Sequence, residues 1–161
     1  MFHQLFVMLT KEQLLQEPAN LLKNELIESL KDQGHYNTGR LAESLEVEIT
    51  QQGGIMKATI RMLDYGLILE TGVPASRVPF GGQRGAFSEY LQGLMDSYGW
   101  DLGTAIRVAK TAKIEGRPTA GSFKFSKNGK RTGFIADVLT STQTLDKVAQ
   151  IVLEKLVNSI N

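Results

Sequence analysis

The sequence predicts an α+β fold: an antiparallel β-sheet with amphipathic helices packed on one face and a long C-terminal helix. Three observations predict it. Residues 45–62 alternate apolar and polar side chains on both sides of a Gly-Gly pair, which is the pattern of a hairpin. Leucines recur at helical spacing before it, and a long apolar stripe closes the chain. The order of elements does not alternate as βαβ units do, so a parallel sheet is not expected.

Taken in order, Phe2 to Met8 is short, bulky and apolar and reads as a strand. Thr10 with Gln13 three residues on is a capping-box pattern that starts a helix. Pro18 kinks or restarts that helix; Ala19, Leu22, Leu26 and Leu30 then share one face, and Gly34 ends it. Asn37-Thr38-Gly39 is turn chemistry, followed by a helical turn around Leu41 to Leu45. In "LEVEIT", Leu45, Val47 and Ile49 face one way and Glu46, Glu48 and Thr50 the other. After Gly53-Gly54, "IMKATIRML" returns with Met56, Ala58, Ile60 and Met62 inward and Lys57, Thr59 and Arg61 outward. The acidic outer face of one strand thus opposes a basic one.

A helix is expected from Ser88, with Leu91, Leu94, Met95 and Tyr98 apolar and Gly99 as its stop. Asp101 caps the next, carrying Leu102, Ile106, Ala109 and Lys113 to Gly116, just ahead of Pro118. "FKFSKNGKRTGFI" reads as a second hairpin turning on Asn128-Gly129. From Thr144, the residues Leu145, Val148, Ala149, Val152, Leu156 and Ile160 form the last stripe, expected to be core. The whole of 1–161 is read as one domain, with extended, flexible loops near 73–86 and 116–133 where Gly, Pro and basic residues gather.

Composition excludes several classes of function. The net charge is +1, from 18 Lys and Arg against 17 acids, so there is no global pull toward nucleic acid or membrane. The absence of cysteine rules out disulfides, thiolate metal sites and a Cys nucleophile. The N-terminal stretch lacks the features of a signal peptide. No apolar run approaches the about 20 residues that span a bilayer, so no membrane role is expected.

Candidate chemistry is sparse. His3 and His35 sit in no pattern that would orient either toward a nucleophile. Asp64 and Glu70 flank one segment and would suit a small hydrolase only as a carboxylate pair of unequal burial. "PFGGQRG" lacks the Lys-Ser/Thr ending of a phosphate-binding loop, and metal-ligand spacings are absent, so no cofactor or metal is expected. The one concentration of charge is Lys124, Lys127, Lys130 and Arg131, interleaved with Phe123, Phe125 and Phe134. It reads either as a solvated hairpin or as a contact for phosphates or an acidic protein surface.

Two segments are distinctive together: "NTGRLAESLEVEI" at 37–49 and "DYGLILETGVPA" at 64–75. They resemble the tail-completion, or head–tail joining, family of tailed bacteriophages. Thr38, Gly39, Leu41 and Ser44 fit its Thr-Gly-x-Leu-x-x-Ser segment, and Tyr65, Glu70 and Gly72 fit its second motif. This chain departs from the family at Glu70-Thr71-Gly72-Val73, where many relatives place Gly-Thr directly after one residue. The resemblance implies a non-enzymatic neck protein of the virion, assembled in the bacterial host cytoplasm. It also implies a homo-oligomeric ring, six-fold with twelve-fold as the alternative, between connector or stopper proteins and the tail tube or tail terminator. DNA would pass through the lumen.

On that reading, Tyr65 to Leu69 winds as a helical turn closed by Gly72 at positive φ, and Glu70 meets a backbone amide or a basic neighbour. The expected subunit or partner contacts are Arg77, Phe80, Arg84, Lys124, Lys127, Lys130 and Arg131. The alternative is a DNA-binding module that uses the basic segment 122–133.

Overall fold

A computed structural model describes residues 11–81 and 84–160. The strand expected at Phe2 to Met8, the cap at Thr10 and His3 lie outside the described residues. Among the described residues, seven α-helices and one hairpin follow in the order α1 (Lys11–Asp32), α2 (Arg40–Glu43), β1 (Glu46–Gln52), β2 (Ile55–Arg61), α3 (Tyr65–Thr71), α4 (Arg84–Tyr98), α5 (Leu102–Glu115), α6 (Phe134–Thr140) and α7 (Thr142–Ile160). Short 3-10 turns cover Ala75–Arg77 and Ala120–Phe125. The fold is α+β, with helices outweighing the sheet.

The hairpin follows its alternation. Strands β1 and β2 pair antiparallel from Glu46 opposite Arg61 to Gln52 opposite Ile55. Gly53 and Gly54 both take positive φ, 58° and 80°, as a two-residue turn of the twist-matched kind requires. Arg61 reaches diagonally to Glu48 at 2.5 Å, so the opposed charges do pair. Val47, Ile49 and Ile60 are only half-buried and Ala58 is exposed, because α1 covers one end of the ribbon and not its tip.

Helix α1 is the central strut. It passes Pro18 without a break, although that proline supplies no amide to the carbonyl of Leu14. Its Leu26 and Leu30 meet Leu41 and Leu45 from α2 and its exit and Phe134 and Val138 from α6, forming the main apolar cluster. A second cluster joins α4 to α5 through Leu91, Leu94, Ala105 and Ala109, flanked by Phe87, Tyr90, Met95 and Trp100. These two helices form an arm with a core of their own rather than a layer on the sheet.

Four sequence expectations need correction. Helix α4 starts a turn earlier than Ser88, at Arg84, because Phe87 packs into the arm's cluster and edge-on against Phe80, with centroids 5.0 Å apart. In α5 the buried face is Ala105, Ala109 and Ala112, while Leu102 and Ile106 are exposed; alanines permit a closer helix approach than leucines do. The expected second hairpin is absent. Residues 116–133 hold the 3-10 turn and an irregular loop, and the two phenylalanines Phe123 and Phe125 stay exposed while Phe134 opens α6.

The fourth correction concerns α7. It lies antiparallel to α1, with Lys147 on Glu25 at 2.7 Å and Lys155 on Glu17 at 2.6 Å. Thr144 is buried, and Val148, Ile151 and Val152 are half-buried. Leu156, expected in the core, is 42% exposed, and Leu153 and Val157 are 62% and 56% exposed. At about 100° per residue, these apolar positions cover more than half of the helix circumference. The fold occupies only one side of that arc.

Candidate functional site

The residues that carry the family resemblance are far apart in sequence and meet in space. Gly39, at φ 74°, opens α2, and Thr38 just before it is exposed. Leu41 is buried in the main cluster. The Ser44 hydroxyl donates to the Leu41 carbonyl at 2.8 Å and accepts the Leu63 amide at 3.2 Å, which ties the end of α2 to the start of α3. Gly66 closes the same contact: a Cβ there would stand 3.3 Å from Leu41 Cδ1 and 2.6 Å from Met62 Sδ. Tyr65 lies partly exposed beside the Arg40 charge; its desolvation raises the phenol pKa and Arg40 opposes that rise.

Glu70 is committed to the backbone. Its Oε2 accepts the Ile135 amide at 2.7 Å and its Oε1 the Ala136 amide at 3.2 Å, while its own carbonyl accepts the Gly133 amide at 2.9 Å. The carboxylate therefore caps the first turn of α6, where free amides and the positive end of the helix dipole favour an anion. Asp64 sits exposed at the other end of α3, about 9 Å of helix rise away. The pair does not converge, and the hydrolase reading has no dyad. Glu70→Ala is expected to cost about 1–2 kcal/mol through the lost cap, read as a lowered denaturant midpoint. An unchanged midpoint would show that the cap is dispensable.

Gly72 turns the chain out of α3 at φ 74° and ψ −176°, a conformation open to glycine almost alone. Val73 then pairs with Arg117 in an isolated antiparallel bridge, with both N–H···O contacts at 2.7 Å. Gly116, at φ 85° and ψ −166°, makes a turn of the same conformation on the other side. Beyond the bridge, Val78 is buried and its carbonyl accepts Lys113 Nζ at 3.1 Å. The stretch from Asp64 to Phe80 thus joins the α1 body to the α4–α5 arm. Arg77 is exposed in the 3-10 turn of this joint, Phe80 packs on Phe87, and Arg84 is the first residue of α4.

The basic segment is not a free hairpin tip, although Lys124, Lys127 and Lys130 stay exposed. It is strapped over the C-terminal end of α1, where orphan carbonyls and the negative end of the dipole attract donors and cations. The Lys127 amide donates to the Asp32 carbonyl at 2.7 Å, and Lys127 Nζ lies 3.6 Å from the Asp32 carboxylate. Lys130 pairs with Asp137 at 2.6 Å. Arg131 Nη1 donates to the Gln33 carbonyl at 2.5 Å, and burial lowers its pKa from the usual guanidinium value. Lys124 rests over the Phe125 ring, 5.0 Å from its centroid. Three of the four cations thus have acidic or carbonyl partners within the chain.

Sequence reasoning missed the anchor of this strap. Gln33 is fully buried and its Nε2 donates to the Thr132 carbonyl and to Asp137 Oδ2, both at 3.1 Å. Its partners lie about a hundred residues away, so nothing near Gln33 announces them. Residues 134–140 carried a local signal, since Phe134, Ile135, Val138 and Leu139 have helical spacing.

His35 belongs to the same strap. Its Nε2–H donates to the Arg131 carbonyl at 2.9 Å. Burial lowers its pKa from the ordinary 6.5, and the Arg131 and Arg117 charges add to that despite the hydrogen bond. The unfolded chain therefore binds this proton more readily. Stability is full above about pH 6.5 and declines as pH falls from there through the lower folded-state value. Denaturant midpoints measured between pH 7.5 and 5 are expected to show this decline, and His35→Gln to flatten its upper part. Equal slopes in both proteins would contradict it.

Among the described residues no cluster of three or more His, Cys, Asp or Glu could hold a metal, and no helix is long and apolar enough to cross a membrane. The surface is unusually large for the mass. The chain exposes 11192 Å², whereas a globular monomer of 17.8 kDa exposes about 8,000 Å². The unfolded-chain value of about 160 Å² per residue caps what the residues outside the description add at roughly 2,100 Å². About 1,000 Å² or more of the excess therefore belongs to the described surface. Its apolar part includes Leu63, Tyr65, Leu67 and Ile68 around α3, and Leu145, Leu153 and Val157 on α7. No protein-family model, curated protein or solved structure matches this chain.

Proposed function

We propose that this protein is a structural subunit of a bacteriophage neck, a tail-completion or head–tail joining protein that assembles as a ring between connector and tail. One observation carries the reading: Thr38 to Ser44 and Tyr65 to Gly72, the residues that resemble the family, form a single rigid joint. The Ser44 bridge to Leu63 and the Leu41–Gly66 contact tie the two segments together, and the Glu70 cap ties the second of them to α6. That joint holds the exposed apolar side chains of α3 in a fixed position and serves no chemistry of its own. The surface excess suits a subunit whose free form leaves an interface uncovered.

The role is non-enzymatic: Glu70 is occupied by amides, and Asp64 stands apart from it. A duplex-binding role for residues 122–133 is the weaker reading, because Lys130 pairs with Asp137 and Arg131 is held on the Gln33 carbonyl, which leaves Lys124 and Lys127 as the cations free to meet phosphates. Native mass spectrometry is expected to find closed multiples of the 17.8 kDa subunit, six by the family resemblance. Phage grown without the protein is expected to accumulate DNA-filled heads and separate tails. A monomer at all accessible concentrations, together with normal virions in its absence, would overturn the proposal.

A further inference from the structure

Two arginines and a histidine gather where the α1 body meets the α4–α5 arm. Arg117 follows α5 and is fixed by its bridge to Val73, with both N–H···O contacts at 2.7 Å. Its guanidinium lies over the Tyr90 ring of α4, 5.8 Å from the centroid. Arg131 comes from the strap, with Nη1 on the Gln33 carbonyl at 2.5 Å, and its own carbonyl accepts His35 Nε2 at 2.9 Å. The two stretches of chain pass each other at Gly72. A Cβ there would stand 2.5 Å from the Arg117 carbonyl oxygen and 3.5 Å from Thr132 Cγ2.

Among the described residues neither guanidinium pairs with a carboxylate. The acids around them are committed elsewhere. Glu115 Oε2 accepts the Ala120 amide at 2.8 Å, Asp137 takes Lys130 and Gln33, and Glu70 caps α6. Donors are left over as well: Arg131 Nε and the Tyr90 hydroxyl are buried and meet no partner within the chain. Burial first, and then the Arg117 charge, lowers the Arg131 pKa against the opposing Tyr98. Like charges drawn together and buried donors left unpaired are both unfavourable, and one anion relieves both.

We propose that Arg117 and Arg131, with the Tyr90 hydroxyl, bind a phosphate dianion, either free phosphate or the phosphate of a small monoester. Two guanidiniums match its two charges, and each planar fork offers paired donors to its oxygens. Both arginines are half-buried, which suits a small ligand and not the rigid backbone of a duplex. Arg117 and Tyr90 belong to the arm and Arg131 to the strap on the body, so the bound phosphate ties one to the other. The site stands independently of the ring reading.

Calorimetric titration of the full chain at constant ionic strength tests this, with inorganic phosphate, glycerol phosphate and acetate as probes. The expected result is saturable phosphate binding, with acetate weaker by at least about ten-fold. The thermal midpoint should rise with phosphate and not with chloride. Tighter binding of glycerol phosphate than of phosphate would assign the site to a monoester, and the reverse to the free ion. Arg117→Gln is expected to weaken phosphate binding by at least about ten-fold with wild-type circular dichroism, because its guanidinium rests on an aromatic face. Arg131→Lys, which keeps the charge and loses the planar fork, is the second variant and should weaken binding too. Three results would each overturn the proposal: no saturable phosphate binding by the folded protein, unchanged affinity in both variants, or acetate binding as tightly as phosphate. Displacement of phosphate by a DNA duplex at physiological salt would overturn it in favour of the duplex reading.

Discussion

Gly72→Val is expected to destabilise the protein by more than about 3 kcal/mol, a large share of the about 5–15 kcal/mol that keeps a domain folded. Two separate costs add. The backbone at φ 74° and ψ −176° lies in a region that side chains cannot enter, costing about 1–3 kcal/mol, and a β-branched residue suffers most there. A Cβ would also stand 2.5 Å from the Arg117 carbonyl oxygen. That oxygen cannot retreat without breaking its bond to the Val73 amide at 2.7 Å, and with it the bridge between body and arm. Gly53→Ala is the control: its φ of 58° is also positive, but nothing lies within 4 Å of the added Cβ. It should cost only about 1 kcal/mol. Equal denaturant midpoints for the two variants would mean that the crowding at Gly72 is relieved by a backbone shift.

The elements that were legible in the sequence are those whose partners are close in the chain. The hairpin at 46–61 needed only its alternation and two glycines, and its register followed. Helix α5 begins where Asp101 accepts the Thr104 amide at 2.7 Å, a cap visible three residues away. The joint was half legible. The turn at Gly72 and the demand of Glu70 for a donor were readable, but the donors, Ile135 and Ala136, were not, because they lie 65 and 66 residues on.

The basic segment failed for a physical reason. Asn128-Gly129 is a strong hairpin signal only if the flanking chain is free to pair with itself. Here the Lys127 amide and the Ser126 hydroxyl are taken by the Asp32 carbonyl, at 2.7 and 3.2 Å. The Asn128 side chain instead closes a local turn by accepting from Lys130 N at 3.0 Å and by sharing the single Ser126 hydroxyl proton, 2.8 Å away, with the Asp32 carbonyl. The exposed end of a long helix supplied acceptors that outcompeted the ladder. Helix α7 misled in another way: apolar periodicity reports that a face is to be covered and is silent on whether the cover is the same chain or the next one.

That distinction is measurable at Phe134. Phe134→Ala is expected to cost about 3–5 kcal/mol, because the ring is 0% exposed and its loss opens a cavity in the main cluster. The walls of that cavity resist collapse. Leu26 and Leu30 belong to the α1 strut, Leu41 is held by the Ser44 bridge, and the start of α6 is fixed by the Glu70 cap. Leu153→Ala removes a side chain of similar chemistry from α7, but 62% of that residue is already in water. In the dissociated subunit it should change stability by less than about 0.5 kcal/mol. The assembled particle should reverse the order of importance at the interface: Phe134→Leu, which refills part of the cavity, should assemble normally, whereas Leu153→Ala should fold and assemble poorly. Denaturant unfolding of dilute subunits and native mass measured on the same variants separate the two effects. Comparable unfolding losses for Phe134→Ala and Leu153→Ala would return α7's outer face to the subunit core and remove the need for a neighbour to cover it.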